Sequence, residues 1–221
     1  MNWCHIWKDC VFENETLIVC NYISEETHDS RCRNYKVEHG IDSFNSDQGS
    51  IRINHQSTRY LTTSVQNKNV LLIASSTCIR TDTLDTTCYA ILSLEVNSLQ
   101  KFNTQNLGFE YNVVHEGTNT GHVKFKTAFK VKEFVYFLFN TEDRHSKIGK
   151  MCTSSEEIKS NSYEDTPIAC SYNNNNYTLA EDAVFWKEYL YVAFTGDSSS
   201  VICRYNLIAI EKNLWNPDKT G

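Results

Sequence analysis

Four runs of apolar residues, each opened by polar or charged positions, punctuate this chain. The clearest is Phe134-Val135-Tyr136-Phe137-Leu138-Phe139, which follows Lys132-Glu133 and is stopped by Asn140. Six apolar or aromatic side chains in succession, bounded by polar residues, predict a buried central strand. Lys187-Glu188-Tyr189-Leu190-Tyr191-Val192-Ala193-Phe194-Thr195 repeats the charge pair, the run and the polar stop. Residues 68–75 have the same shape, and residues 14–21 form a shorter version. The openers Glu15, Asn69, Glu133 and Glu188 are separated by 54, 64 and 55 positions, which is a period.

The flanks of each run carry further strand-like patterns. Residues 59–65, 123–131 and 178–185 precede the last three runs, and residues 32–37, 88–96, 147–152 and 201–207 follow the four in turn. After the run at 134–139, residues 148–152 and 162–170 predict two strands with cysteines at their ends. The repeating unit is therefore strand, tight polar turn, buried strand, loop, strand, and often one more strand at the edge. That is a four-stranded antiparallel meander, and a meander repeated every ~40–60 residues marks a β-propeller blade. Solenoid repeats are shorter or helical. The fold class expected is all-β, with antiparallel four-stranded blades of a propeller that four units leave incomplete. One helix is predicted over 206–215, where Leu207, Ile210 and Leu214 recur at helical spacing. Polar loops at 40–50, 81–87, 141–146 and 173–176 belong at blade rims, where binding concentrates.

Composition narrows the class of protein. With 221 residues, 40% of them apolar, the chain has enough material for a core, and two prolines and eight glycines speak against a low-complexity linker. No apolar run approaches the ~18 residues of a membrane span, and the first residues lack an apolar signal-type segment. Nine cysteines, most in locally spaced couples near strand ends, point to an oxidising compartment and to a chain whose true N-terminus lies further upstream. Buried cytosolic thiols are the alternative. The glycosylation sequons Asn14-Glu15-Thr16 and Asn176-Tyr177-Thr178 agree with secretion. A net charge of −6 speaks against a nucleic-acid partner. Lys124, Lys126, Lys130 and Lys132 alternate with Val123, Phe125, Phe129 and Val131, which predicts a solvated strand face, with an acidic partner as the alternative.

No catalytic set emerges. Nucleophile elbow, phosphate-cradling glycine loop and dinucleotide fingerprint are all missing from the sequence. His115-Glu116 and His122 lack the spacing of a zinc motif, and Cys4-His5 with Cys10 has no second close pair at finger spacing. No enzyme activity, cofactor, metal or small-molecule substrate is expected. Cys20 and Cys32 flank an eleven-residue connection, and Cys78 and Cys88 a nine-residue one. A bridge across the former would restrict the unfolded chain by roughly 3 kcal/mol on the loop-entropy model, although spacing alone leaves the connectivity open.

Taken together, these segments resemble the sema domain, the seven-bladed propeller of semaphorins, of their plexin receptors and of the hepatocyte growth factor receptor group. The residues that carry the resemblance are 134–139, then Ser146-Lys147-Ile148-Gly149-Lys150-Met151-Cys152, then Ser162-Tyr163-Glu164-Asp165-Thr166-Pro167-Ile168-Ala169-Cys170. Tyr177-Thr178-Leu179-Ala180-Glu181-Asp182-Ala183 and Ser200-Val201-Ile202-Cys203 continue it. The resemblance implies that residues 1–221 are one partial sema domain, roughly its first four blades. The segment 163–170 is most similar to plexins, which have Ser-Tyr, then Pro and an aliphatic before the cysteine, where semaphorins usually carry tryptophan and basic residues.

A plexin-like reading implies a non-catalytic extracellular receptor module that takes a semaphorin at its rim. It further implies a place at the cell surface, with membrane attachment through parts C-terminal to this sequence. A semaphorin fragment is the alternative, in which case the partner is a plexin. A secreted propeller enzyme is a third reading, and it would need His, Asp and Glu lining the channel where the runs offer aromatics and aliphatics. The resemblance also implies disulfides Cys4 to Cys10, Cys20 to Cys32 and Cys170 to Cys203, with Cys152 unpaired because its partner lies beyond residue 221. Cys78 with Cys88 rests on local spacing alone. Arginine anchors are favoured at protein interfaces, and Arg144 on the 141–146 loop is the candidate for partner binding.

Overall fold

The computed structural model describes residues 10–13, 16–22, 29–36, 51–54, 58–65, 67–81, 89–96, 110–111, 123–153 and 158–214. The chain divides into two compact units, residues 1–113 with 153–160 and residues 114–152 with 161–221.

In the first unit, β1 (Cys10–Glu13), β2 (Thr16–Tyr22), β3 (Asp29–Lys36) and β4 (Ile51–Asn54) form an antiparallel meander. A second meander contains β5 (Arg59–Val65), β6 (Lys68–Thr81), β7 (Tyr89–Glu95) and β8 (Glu110–Tyr111). The fourteen-residue β6 serves both. Its first half pairs with β5 and β7, its register shifts between Ala74 and Ile79, and its last residues pair with β4 through Arg52 opposite Arg80 and Ile51 opposite Thr81. The apolar run behaves as its pattern requires. Val70, Leu71, Leu72, Ile73 and Ala74 are all fully buried, so both faces of the strand are covered. A strand covered on both faces tolerates no polar alternation, which is why this one reads as continuous.

The second unit repeats the plan. Its four-stranded sheet runs β12 (Ile158–Ile168), β11 (Ser146–Thr153), β10 (Phe134–Asn140), β9 (Lys124–Val131) in spatial order. A small hairpin of β13 (Cys170–Tyr172) and β14 (Asn175–Tyr177) leads into a three-stranded sheet of β15 (Leu179–Trp186), β16 (Tyr189–Thr195) and β17 (Ser200–Asn206). Helix α1 (Leu207–Leu214) follows. The fold is all-β and antiparallel, built of propeller-type blades.

The repeated Lys-Glu pairs are the hairpin turns. Lys132 lies at φ 55°, and Lys187 and Glu188 lie at 47° and 73°, so both dipeptides close tight turns between paired strands. Positive φ at both central residues of 187–188, and at the first of 132–133, matches the right-handed twist of the flanking strands. Asn173 and Asn174, at 48° and 62°, do the same between β13 and β14 with residues that tolerate the left-handed region better.

Both faces of β10 are filled. Phe125 meets Phe137 edge-on at 6.1 Å and Phe139 at 5.7 Å on one side. On the other, Tyr136 and Leu138 join Ile148, Ala180, Leu190, Val192 and Phe194 in a core shared with the β15 to β17 sheet. Phe129 stacks between Tyr136, at 5.1 Å, and Phe185, at 5.3 Å. Helix α1 closes this core with Leu207 and Ile210. Its Asn206 side chain caps the first turn by accepting from the Ile208 amide at 2.9 Å. Farther along, Glu211 accepts from the Tyr136 hydroxyl at 2.5 Å and faces Lys150 at 3.5 Å.

Two expectations need correction. The lysine stripe is not one solvated strand face. Lys132 sits in the turn, and a register shift between Leu138 and Phe139 bulges β9 at Lys126, which pairs with Glu181 at 2.8 Å. Residues 162–170 are not one strand either. β12 starts at Ile158 and stops at Ile168, and Cys170 begins β13. Pro167 is accommodated because β12 is an edge strand, where one face of the backbone has no ladder to serve. The last blade has three strands among the described residues, and α1 is the helix expected over 206–215.

Candidate interaction surface

At one end of the second unit, three connections lie side by side and are tied together by hydrogen bonds. They are the β10 to β11 loop (141–145), the β13 to β14 hairpin and the β16 to β17 loop (196–199).

The first loop is fixed from within. The Thr141 amide donates to the His145 carbonyl at 2.8 Å, and the Arg144 amide donates to the Thr141 carbonyl at 3.1 Å. The Thr141 hydroxyl lies between the Asp143 carboxylate and the His145 carbonyl and donates to one at a time. That hydroxyl holds the Asp143 carboxyl below its ordinary range, with His145 adding a smaller contribution. Arg144 takes φ 61°, a conformation costly for a residue with a Cβ, and it is kept there by these bonds. Glu142, Asp143, Arg144 and His145 are all exposed, so the loop presents both signs of charge on a rigid turn.

Behind the loop is a buried polar clasp. Ser146 is fully buried and Asn140 nearly so. The Ser146 hydroxyl accepts from the Ala180 amide at 2.7 Å and can donate to Asn140 Oδ1 or to the Thr178 carbonyl, each at 2.7 Å. Asn140 Nδ2 donates to the Ala180 carbonyl at 2.9 Å, and the Ser146 amide to the Thr178 carbonyl at 2.8 Å. Every member has a partner, which a buried polar group requires. The clasp fixes the start of β15 against the end of β10, and with it the spacing of two loops. From the hairpin side, the Thr178 hydroxyl donates to the Arg144 carbonyl at 3.1 Å.

The third loop is anchored by Tyr177, whose hydroxyl shares a hydrogen bond with Ser199 at 2.7 Å. Its ring leaves no room at Gly196, where a Cβ would stand 3.0 Å from two ring carbons. Cys170 and Cys203 form a disulfide, with Cα atoms 6.0 Å apart, that links the hairpin to β17. Beside it the Tyr205 hydroxyl donates to the Ala169 carbonyl at 2.7 Å, and burial pushes its pKa up to about 12.

The residues singled out from sequence are distributed as follows. Arg144 and Asn176 fall on this surface, and Cys170 and Cys203 are joined beneath it. Cys152 has a free thiol in β11, and its amide is held by the Ser162 hydroxyl at 2.9 Å. Cys20 and Cys32 stand directly opposite one another in the β2 to β3 register. Cys10 opens β1 and Cys78 lies in β6, whereas Cys4, Cys88, Asn14, His115, Glu116 and His122 fall outside the described residues. Among the described residues, no three His, Cys, Asp or Glu side chains gather as a metal site, and no helix is long and apolar enough to cross a membrane. Sequence reasoning missed the Asn140, Ser146 and Thr178 clasp. Its signal was available only as polar residues abutting apolar strand ends.

No protein-family model matches the chain, and no curated protein matches it by sequence. Solved structures do match by fold. The extracellular region of plexin A4 superposes with a TM-score of 0.58 at 17% identity, over 92% of this chain and 27% of that one. Drosophila semaphorin 2a superposes with a TM-score of 0.56 at 11% identity, over 92% of this chain and 38% of that one. The chain therefore spans well under half the length of either, and it has the blade fold found in the extracellular regions of plexins and semaphorins.

Proposed function

We propose that this chain is a non-catalytic, extracellular protein-binding module, the N-terminal part of a plexin-like sema domain that takes a semaphorin at its loop-bearing rim. The reading rests above all on residues 162–170, whose Ser-Tyr and Pro-Ile lie in the edge strand β12 and whose Ala-Cys leads from it into the Cys170 to Cys203 bridge. A disulfide at that point suits an oxidising compartment and a receptor at the cell surface. The rim suits protein recognition, because its loops are pre-organised and combine exposed Tyr172, Arg144, Glu142 and asparagines. The remaining bridges proposed are Cys4 to Cys10, Cys20 to Cys32 and Cys78 to Cys88.

A semaphorin fragment is the second reading, favoured by the nearly equal superposition on semaphorin 2a. Surface plasmon resonance against panels of semaphorin and plexin ectodomains separates the two. Saturable binding to a semaphorin supports the receptor, binding to plexins alone supports the ligand, and binding to neither panel by disulfide-bonded protein overturns both. Peptide mapping under non-reducing conditions tests the remaining bridges.

A further inference from the structure

The sequon Asn176-Tyr177-Thr178 does not lie on a remote loop: its first two residues are in β14 and Thr178 follows directly at the rim. Successive side chains of an extended strand point to opposite faces. Tyr177 turns inward to Ser199, while Thr178 reaches the Arg144 carbonyl at 3.1 Å. Within β14, Asn176 therefore faces away from Tyr177, and two residues of chain, about 7 Å when extended, separate it from Thr178. It is exposed, and its Oδ1 accepts from the Ser171 hydroxyl at 3.3 Å. The neighbouring Cys170 to Cys203 bond belongs to the compartment in which oligosaccharide is transferred to asparagine.

We infer that Asn176 carries an N-linked glycan, and that this glycan shields the Arg144 side of the rim and leaves the Gly196 to Ser199 side open to a protein partner. The inference rests on the extracellular reading given above. In the transfer, Asn176 Nδ2 forms a bond to the anomeric carbon of an oligosaccharide carried on a lipid diphosphate. The carbon–oxygen bond to the diphosphate breaks, the lipid diphosphate leaves with that electron pair, and the amide nitrogen gives up one proton. Transfer precedes folding, so the Thr178 hydroxyl is free to take part before it engages Arg144. The folded hairpin then needs only space at Asn176, which its exposure provides. Two expectations drawn from the sequence thus compete for one surface: a glycan on Asn176 and a partner contact through Arg144.

The test uses the full chain secreted from eukaryotic cells. Amidase digestion in heavy-oxygen water converts a glycosylated asparagine to labelled aspartate, and peptide mass spectrometry should find that label at position 176. An unlabelled Asn176 in protein with Cys170 bonded to Cys203 overturns glycosylation while leaving the extracellular reading standing. A reduced Cys170 in secreted protein overturns that reading and this inference with it. Shielding is read by tryptic cleavage after Arg144. Cleavage of the glycosylated chain should be several-fold slower than that of Asn176→Gln, and Thr178→Ser, which keeps both sequon and hydroxyl, should stay slow. Equal cleavage of glycosylated and Asn176→Gln protein, or none in either, overturns the shielding.

Discussion

Gly149 shows how much one residue can decide. It lies in β11 opposite Phe137, and a Cβ there would stand 2.5 Å from the Tyr163 hydroxyl and 2.9 Å from two ring carbons. Gly149→Ala should therefore destabilise the chain by about 1–3 kcal/mol, as overpacking does, and Tyr163→Leu should recover part of the loss. Denaturant melts of the single and double variants check this, and additive losses would sink the steric account. Tyr136 and Tyr205 contribute to stability that depends on alkaline pH. Burial, together with the Glu211 carboxylate for Tyr136, raises both above the ordinary value of 10.0. Their neutral forms are favoured in the folded chain, so this contribution is intact below pH 10 and is lost as pH rises toward about 12 for Tyr205. Tyr205→Phe should flatten part of the stability loss above pH 10 in melts recorded across that range. The burial of Tyr136 could be anticipated from its run of apolar neighbours, but its partner could not, because Glu211 lies 75 residues away.

Elements formed where local pattern and tertiary demand agreed. The continuous runs became β6, β10 and β16, and the polar dipeptides between alternating segments became hairpin turns. Where an element's identity depended on a neighbour, the pattern was insufficient. The bulge at Lys126, the break at Ala169 and the clasp of Asn140 with Ser146 all answer to contacts 30 or more residues distant. Asn140→Ala should cost about 1–3 kcal/mol, since it takes a donor from the buried Ala180 carbonyl and an acceptor from the Ser146 hydroxyl. It should also speed hydrogen exchange of the 141–145 loop, and an unchanged loop would mean that the clasp does not order the rim. Removing the bridge with Cys170→Ser and Cys203→Ser opens a link spanning 33 residues, worth about 3–4 kcal/mol by loop entropy. Chemical denaturation of oxidised wild type and the double variant measures it.

At the scale of the whole molecule, one face of the last sheet carries exposed apolar side chains beside Asp182, Arg204 and Asn206. Val184, Trp186 and Ile202 are 60%, 56% and 76% exposed, and the register aligns them with Tyr189, Tyr191 and Ala193. Contiguous exposed apolar area drives association. Val184→Lys with Ile202→Lys should lower self-association in sedimentation velocity while leaving the Cys170 to Cys203 bridge intact, and unchanged association would show that this face is not the cause. The sequence by itself determined the blade: hydrophobic runs at a fixed period and polar turns between them specify antiparallel meanders through local chemistry alone, whereas Cys20, Cys32, Cys78 and Cys203 fall within strands and not at their ends. Only the tertiary structure decided which loops share a rim, that Lys126 meets Glu181 and that Thr178 of the Asn176 sequon meets Arg144. Those relations arise where segments far apart in the chain meet, and hydrophobic periodicity contains no information about which distant polar group a buried one will find.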